Sequence, residues 1–133
     1  MAILVREAML VEPRTLGVDG TAQAAGELLA KPDVRAVFVC DDERFVGVVT
    51  RKTLVRQVVA PGKDPRTTRL DEIAEEPHYT VEAAATAEEA FRFMEANDAE
   101  RVPVVEDGRL VGVLSRVVLQ RRLAEDEPLE EAG

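Results

Sequence analysis

The sequence is poor in the side chains from which catalytic and metal centres are usually assembled. It has one cysteine, Cys40, one histidine, His78, and no tryptophan. A lone cysteine excludes an internal disulfide, and with a lone histidine it leaves too few ligands for a zinc site built on sulfur and imidazole. No glycine-rich phosphate loop is present. His78 has no serine or cysteine partner in a strand-to-helix elbow, so no nucleophile–base pair can be read. The carboxylates Glu75 and Glu76 lie in a polar stretch and are expected to be solvated. The chain is therefore expected not to be an enzyme, with no catalytic residues and no metal ligands.

Long apolar runs are missing too, so a membrane span is not expected. The N-terminus, Met1 to Glu7, lacks the basic and apolar regions of a secretory signal, and a cytoplasmic location is expected. Positive charge is scarce: 17 basic residues face 26 acidic ones, a net charge of −9. Phosphate backbones demand a basic footprint, so nucleic acid is excluded as a partner. The imbalance sits in one half. Residues 1–60 hold eight basic and eight acidic side chains, whereas 70–133 hold six and seventeen. Part of that excess is an acidic tail over 124–133, expected to be disordered.

What the chain does have is a repeat. Phe45-Val46-Gly47-Val48-Val49-Thr50-Arg51 returns 65 residues later as Leu110-Val111-Gly112-Val113-Leu114-Ser115-Arg116. The register holds without a gap from Thr21/Thr86, through Val37/Val102 and Asp42/Asp107, to Leu54/Leu119 and Arg56/Arg121. Upstream, Pro13 answers Pro77 and Thr15 answers Thr80. A hydrophobic fraction of 46% is enough for a packed core. One copy of about 55 residues buries little surface alone, so the two are expected to pack together.

Each copy reads as strand, helix, strand, strand, helix. Short strands are predicted at 15–18 and 79–81. An amphipathic helix then starts at Thr21 or at Thr86, where Thr86 and Glu89 have capping-box spacing. That helix should bury Ala87, Ala90 and Met94 with Phe91 or Phe93, and in the first copy Ala22, Ala25, Leu28 and Leu29. Two β-branched runs follow, 36–40 with 46–50 and 101–105 with 110–114. The polar connectors 41–44 and 106–109 make hairpins of them. A second helix begins at Thr50 or Ser115. The domain plan is 5–60 for the first copy, 61–69 for a linker containing Pro61, Gly62 and Pro65, and 70–123 for the second copy.

Thr50 and Ser115 stand where a strand hands over to a helix. Such a hydroxyl can hold a phosphate together with the free amides of the helix start, or can simply cap its helix. Arg51 and Arg116 follow directly, suited either to bidentate phosphate contacts or to surface ion pairs. His78 could meet a ligand, sense pH or do neither. Cys40, at the end of an apolar run, reads as a small core residue.

These features together resemble the CBS domain family, and in particular its tandem pair, the Bateman module. The matching motifs are Pro-x-Thr-hydrophobic before a Thr-capped helix, Arg101-Val102-Pro103-Val104-Val105, the acidic-Gly turn, and Leu110-Val111-Gly112-Val113-Leu114-Ser115. The match spans residues 5–123. The resemblance implies an α/β (α+β) fold of two β-α-β-β-α motifs related by pseudo-twofold symmetry, with ligand clefts. It implies a regulatory module that senses an adenosine-type nucleotide, or a related metabolite such as S-adenosylmethionine, with no resident cofactor. Thr15, Thr50, Arg51, Thr80, Arg101, Ser115 and Arg116 match the ligand-contacting positions. The alternative is a ligand-free scaffold that dimerises or engages an effector protein. Nucleotide-binding motifs of this family end Gly-h-h-Thr/Ser-x-x-Asp, the aspartate holding the ribose hydroxyls. Here Thr53 and Val118 stand in its place, which predicts weak or non-standard recognition of the sugar. A homodimer is expected, with Val58 and Phe91 among the apolar positions that it would cover.

Overall fold

Thr21 and Thr86 start the helices assigned to them. The Thr21 hydroxyl accepts from the Ala24 N–H at 3.1 Å and that of Thr86 from the Glu89 N–H at 3.2 Å. The Glu89 carboxylate returns to the Thr86 N–H at 3.3 Å, completing the capping box.

The computed structural model describes residues 2–10, 14–77 and 79–126; His78 and the tail from 127 onward lie outside the described residues. In chain order the elements are α1 (Val5–Ala8), β1 (Thr15–Gly17), α2 (Ala22–Leu29), β2 (Val37–Asp41), β3 (Arg44–Val49) and α3 (Arg51–Leu54). A π-helical turn over Val55–Val59 continues α3. Then come α4 (Leu70–Ile73), β4 (Val81–Glu82), α5 (Ala87–Ala96), β5 (Arg101–Glu106), β6 (Arg109–Ser115) and α6 (Arg116–Asp126). The fold is the expected mixed α/β one. The structure differs in places: the strand placed at 79–81 begins at Val81, α6 runs on into the segment assigned to the tail, and the short helices α1 and α4 were not foreseen.

Two compact units emerge, and they are not the two sequence copies. One comprises residues 14–77 with 108–110; the other comprises 2–10, 79–107 and 111–126. In the first, β1 runs parallel to β2, Thr15 beside Phe38, and β2 runs antiparallel to β3, Val37 beside Val49. Its core joins Ala22, Ala25 and Leu29 of α2 and Val37 and Val39 of β2 to Leu70 and Ile73 of α4. In the second, β4 pairs parallel with β5, Val81 beside Val104, and β6 flanks β5. Here Ala87, Ala90 and Met94 of α5 pack with Val102, Val104, Leu114, Leu119 and, from α1, Val5.

Each short helix thus completes the copy it does not precede. The backbone bonds repeat at the 65-residue offset with their partners exchanged. The Leu70 N–H donates to the Gly20 carbonyl at 2.9 Å, and the Val5 N–H to that of Ala85 at 2.8 Å. The Ala22 N–H donates to Thr68 and the Ala87 N–H to Ile3. Glu75 exchanges both backbone bonds with Val48, as Leu10 does with Val113. Gly47 and Gly112 permit this approach. A Cβ on Gly47 would sit 2.8 Å from the Glu75 carbonyl oxygen, and one on Gly112 would sit 2.7 Å from that of Leu10.

The apolar positions assigned to a dimer need correction. Val58 is buried in the core of its own unit and Phe91 packs against its own core, because their helix faces turn inward. The exposed valines on helical segments are Val55 and Val59, in the same turn as Val58, and Val117 on α6. Cys40 is buried as expected, and burial raises its thiol pKa.

Candidate functional site

In the unit of residues 14–77, Thr50 and Thr53 cap α3 reciprocally. The Thr53 hydroxyl accepts from the Thr50 N–H at 3.0 Å, and the Thr50 hydroxyl accepts from the Thr53 N–H at 3.3 Å. Thr53 is fully buried, and its one hydroxyl proton goes to Glu75 Oε1 at 2.7 Å. The 3.1 Å contact between the two hydroxyls is therefore donated by Thr50. A proton chain runs from Thr50 to Thr53 to the Glu75 carboxylate. Glu75, expected to be solvated, is instead half-buried and held by a side-chain bond as well as two backbone bonds. Arg51 is turned away from this group: its Nη2 donates to the Lys31 carbonyl at 2.8 Å, beyond the end of α2. Thr15 is exposed at the start of β1.

Thr15 also borders an open cavity of about 650 Å³, lined further by Asp19, Asp41, Asp42 and Arg69. Asp41 closes the end of β2 opposite Val37, whose partner Val49 precedes Thr50, so this cavity excludes Thr50 and Arg51. Arg69 is engaged there by Asp71 at 2.8 Å; that bond raises the Arg69 pKa and lowers that of Asp71.

The second unit brings three of the expected residues together. The Arg116 N–H donates to the Glu100 carbonyl at 2.9 Å, which sets Arg101, next in the chain after Glu100, at the strand end where Ser115 and Arg116 lie. Ser115 is buried, and its hydroxyl accepts from the Val118 N–H at 3.4 Å. With Val118 at the position of Thr53, no hydroxyl among the described residues takes the Ser115 proton. Arg116 Nη1 reaches Asp98 at 3.4 Å, an exposed carboxylate. Arg101 is exposed and makes no ion pair among the described residues. Thr80 stands apart, exposed just before β4, which joins β5 at Val104.

The sequence reading overlooked Glu75. Its signal was the offset itself: Glu75 stands at the repeat position of Leu10, as Thr53 stands at that of Val118. Both members of the pair are polar in one unit and apolar in the other.

Comparison with known proteins places this geometry. The family model for the CBS domain matches residues 5–60 and again 70–125. Hypoxic response protein 1 of Mycobacterium tuberculosis is 33% identical over 121 residues, covering 90% of this chain and 85% of that protein. The crystal structure of Hypoxic Response Protein I with two coordinated zinc ions superposes with a TM-score of 0.76 at 31% identity, covering 90% of this chain and 98% of the other. The fold is also that of a putative acetoin utilization protein (AcuB) from Vibrio cholerae, with a TM-score of 0.80 at 24% identity over 96% of this chain and 100% of the other. The repeat, the capped helices and the hairpins thus have one explanation: the chain belongs to the CBS domain family and carries two CBS domains in tandem.

Proposed function

We propose that this chain is a regulatory module that works by binding rather than catalysis, and that its ligand is an adenosine-type nucleotide or a related metabolite. The observation that carries the reading is the grouping of Arg101, Ser115 and Arg116, with one cation unpaired and one hydroxyl proton unspent among the described residues. Two guanidinium groups and a donor hydroxyl suit a phosphate. Among the described residues, the exposed Asp98 is the only carboxylate that an incoming anion would displace from Arg116. Thr15 and Thr80 remain part of the proposed contact set as exposed hydroxyls at strand starts. Thr50 and Arg51 are already engaged inside their unit, and Arg51 would have to leave Lys31 to serve.

Zinc, coordinated in the Hypoxic Response Protein I structure, is not part of this reading. One cysteine and one histidine fall short of a sulfur and imidazole site, and the described residues hold no group of three potential ligands. No helix among the described residues is long and apolar enough to cross a membrane.

The test is a thermal-shift panel of adenine nucleotides and S-adenosylmethionine, since a ligand of the native state must raise its melting temperature. Losing a charged hydrogen bond costs roughly tenfold or more in affinity. Arg101→Ala and Arg116→Ala should therefore each remove most of the shift and leave the ligand-free melting temperature nearly unchanged. An absence of any shift with wild type would overturn the proposal.

A second reading, assembly with itself or an effector protein, is favoured by the exposed Val55, Val59 and Val117. A symmetric homodimer is the simplest assembly to cover such faces. Sedimentation at tens of micromolar, a range of about that order typical of weak interfaces, should show a dimer. A monomer there would overturn this reading.

A further inference from the structure

We propose that the tip of the β5–β6 hairpin is a site of spontaneous covalent modification, where Asp107 closes onto the Gly108 nitrogen and reopens as isoaspartate. The sequence holds two Asp-Gly pairs, Asp19-Gly20 and Asp107-Gly108. A glycine amide is unshielded by any Cβ, so the sequence alone ranks the two alike. The structure separates them. The Gly20 N–H donates to the Gly17 carbonyl at 3.0 Å, and the Gly20 carbonyl accepts from the Leu70 N–H at 2.9 Å. A Cβ on Gly20 would meet Gly17 O and Leu70 Cδ1, both at 3.2 Å. Bonded on both sides and packed on the fully buried Leu70, this peptide cannot swing toward Asp19 without opening the core. Gly108 is the reverse case. It is exposed, nothing lies within 4 Å of where its Cβ would be, and its N–H has no partner among the described residues. The Asp107 carboxylate is exposed and unpaired among the described residues as well.

The chemistry needs only solvent. The Asp107 carboxylate takes a proton from water, and the Gly108 nitrogen attacks its Cγ. A C–N bond forms and a Cγ–O bond breaks; the amide hydrogen and the carboxyl OH leave together as water, and a five-membered succinimide remains. Water then adds to one of the two ring carbonyls. Opening at the side-chain carbonyl restores aspartate, and opening at the backbone carbonyl routes the chain through Cβ and Cγ as isoaspartate. The backbone favours that outcome. Asp107 is held at φ 53°, in the left-handed region that is costly for a residue with a Cβ, and an isoaspartyl linkage is free of that restriction. Asp42 and Asp98 share the left-handed φ, at 55° and 51°, but Glu43 and Ala99 follow them with a Cβ. The Ala99 N–H is also tied to the Met94 carbonyl at 2.8 Å. Asp107 alone among these combines a strained φ, a free amide and an unshielded glycine. The added backbone carbon falls beside the Gly108 carbonyl, which accepts from the Phe45 N–H at 3.0 Å.

Peptide mapping of the full chain, held folded in warm neutral buffer and then digested with trypsin, tests this. The two pairs fall in separate fragments, 102–109 and 15–35, since Arg14, Arg35, Arg101 and Arg109 bound them and Pro32 protects the bond after Lys31. An isoaspartyl fragment keeps its parent's mass but elutes apart from it, and electron-transfer fragmentation identifies it. Fragment 102–109 should split into two peaks. Conversion in 15–35 should be slower by ~tenfold or more, because it waits for local opening of a packed segment. In denaturant the contrast should vanish. Asp107→Asn and Asp19→Asn give a second readout, because an asparagine closes the same ring with loss of ammonia and the opened product gains mass. Only Asp107→Asn should gain mass while folded. A folded chain whose fragment 102–109 stays single while the denatured chain converts would overturn the proposal. So would equal conversion of the two fragments, or equal mass gain in the two asparagine variants, in the folded state.

Discussion

Gly47 and Glu75 lie so close that the smallest side chain would not fit between them: a Cβ on the glycine meets the Glu75 carbonyl oxygen at 2.8 Å. Gly112 and Leu10 stand in the same relation at 2.7 Å, with Met9 Sδ a further 2.6 Å contact. Neither backbone oxygen can yield without breaking the two-bond bridge that it anchors. Gly47→Ala and Gly112→Ala should each destabilise by ~1–3 kcal/mol, as overpacking does. Chemical denaturation of the two variants measures this directly. An unchanged midpoint would mean that the bridges are not part of the stable fold.

The exchange of short helices gives a sharper expectation. Leu70 is fully buried in the core of the first unit, so Leu70→Ala should cost ~2–5 kcal/mol. Val5, also fully buried, belongs to the second unit. Hydrogen exchange in Val5→Ala should therefore accelerate first around residues 83–87, where α1 is bonded, and not around 18–22. Acceleration in α2 instead would place α1 with the copy that it precedes in sequence.

Thr86→Ala removes the hydroxyl that accepts from the Glu89 N–H, and with it the reciprocal box. A loss of about 1 kcal/mol is expected for such a cap. Thr86→Ser should recover most of it, since only the hydroxyl is used.

Cys40 is buried and its thiol pKa is raised by desolvation, so little thiolate exists near neutral pH. A thiol reagent should modify the native chain slowly at pH 7 and the denatured chain quickly. Fast labelling of the native chain would show that the end of β2 opens readily.

The short helices α1 and α4 were not read from the sequence, which alone was sufficient for the repeat, the family and, within each copy, the order strand, helix, strand, strand, helix. Those rest on local chemistry: threonines three residues ahead of a first-turn amide, β-branched runs split by Asp-Gly or Asp-Asp turns, a glycine fixed in one register. That Arg101 lies near Ser115 and Arg116 follows from the same local chemistry, since the hairpin of β5 and β6 returns the chain to where it began. Which copy each short helix completes was not legible, because Val5–Ala8 and Leu70–Ile73 precede their copies at the same offset and either pairing satisfies the periodicity. Backbone hydrogen bonds to Ala85 and Gly20, formed across about 50 to 80 residues of chain, decided it. The same holds for Glu75. Its carboxylate reads as one more solvated charge until the fold delivers it, 22 residues along the chain, to the buried hydroxyl of Thr53. A hydroxyl buried at that depth must find an acceptor, and only the tertiary structure determines which one is in reach.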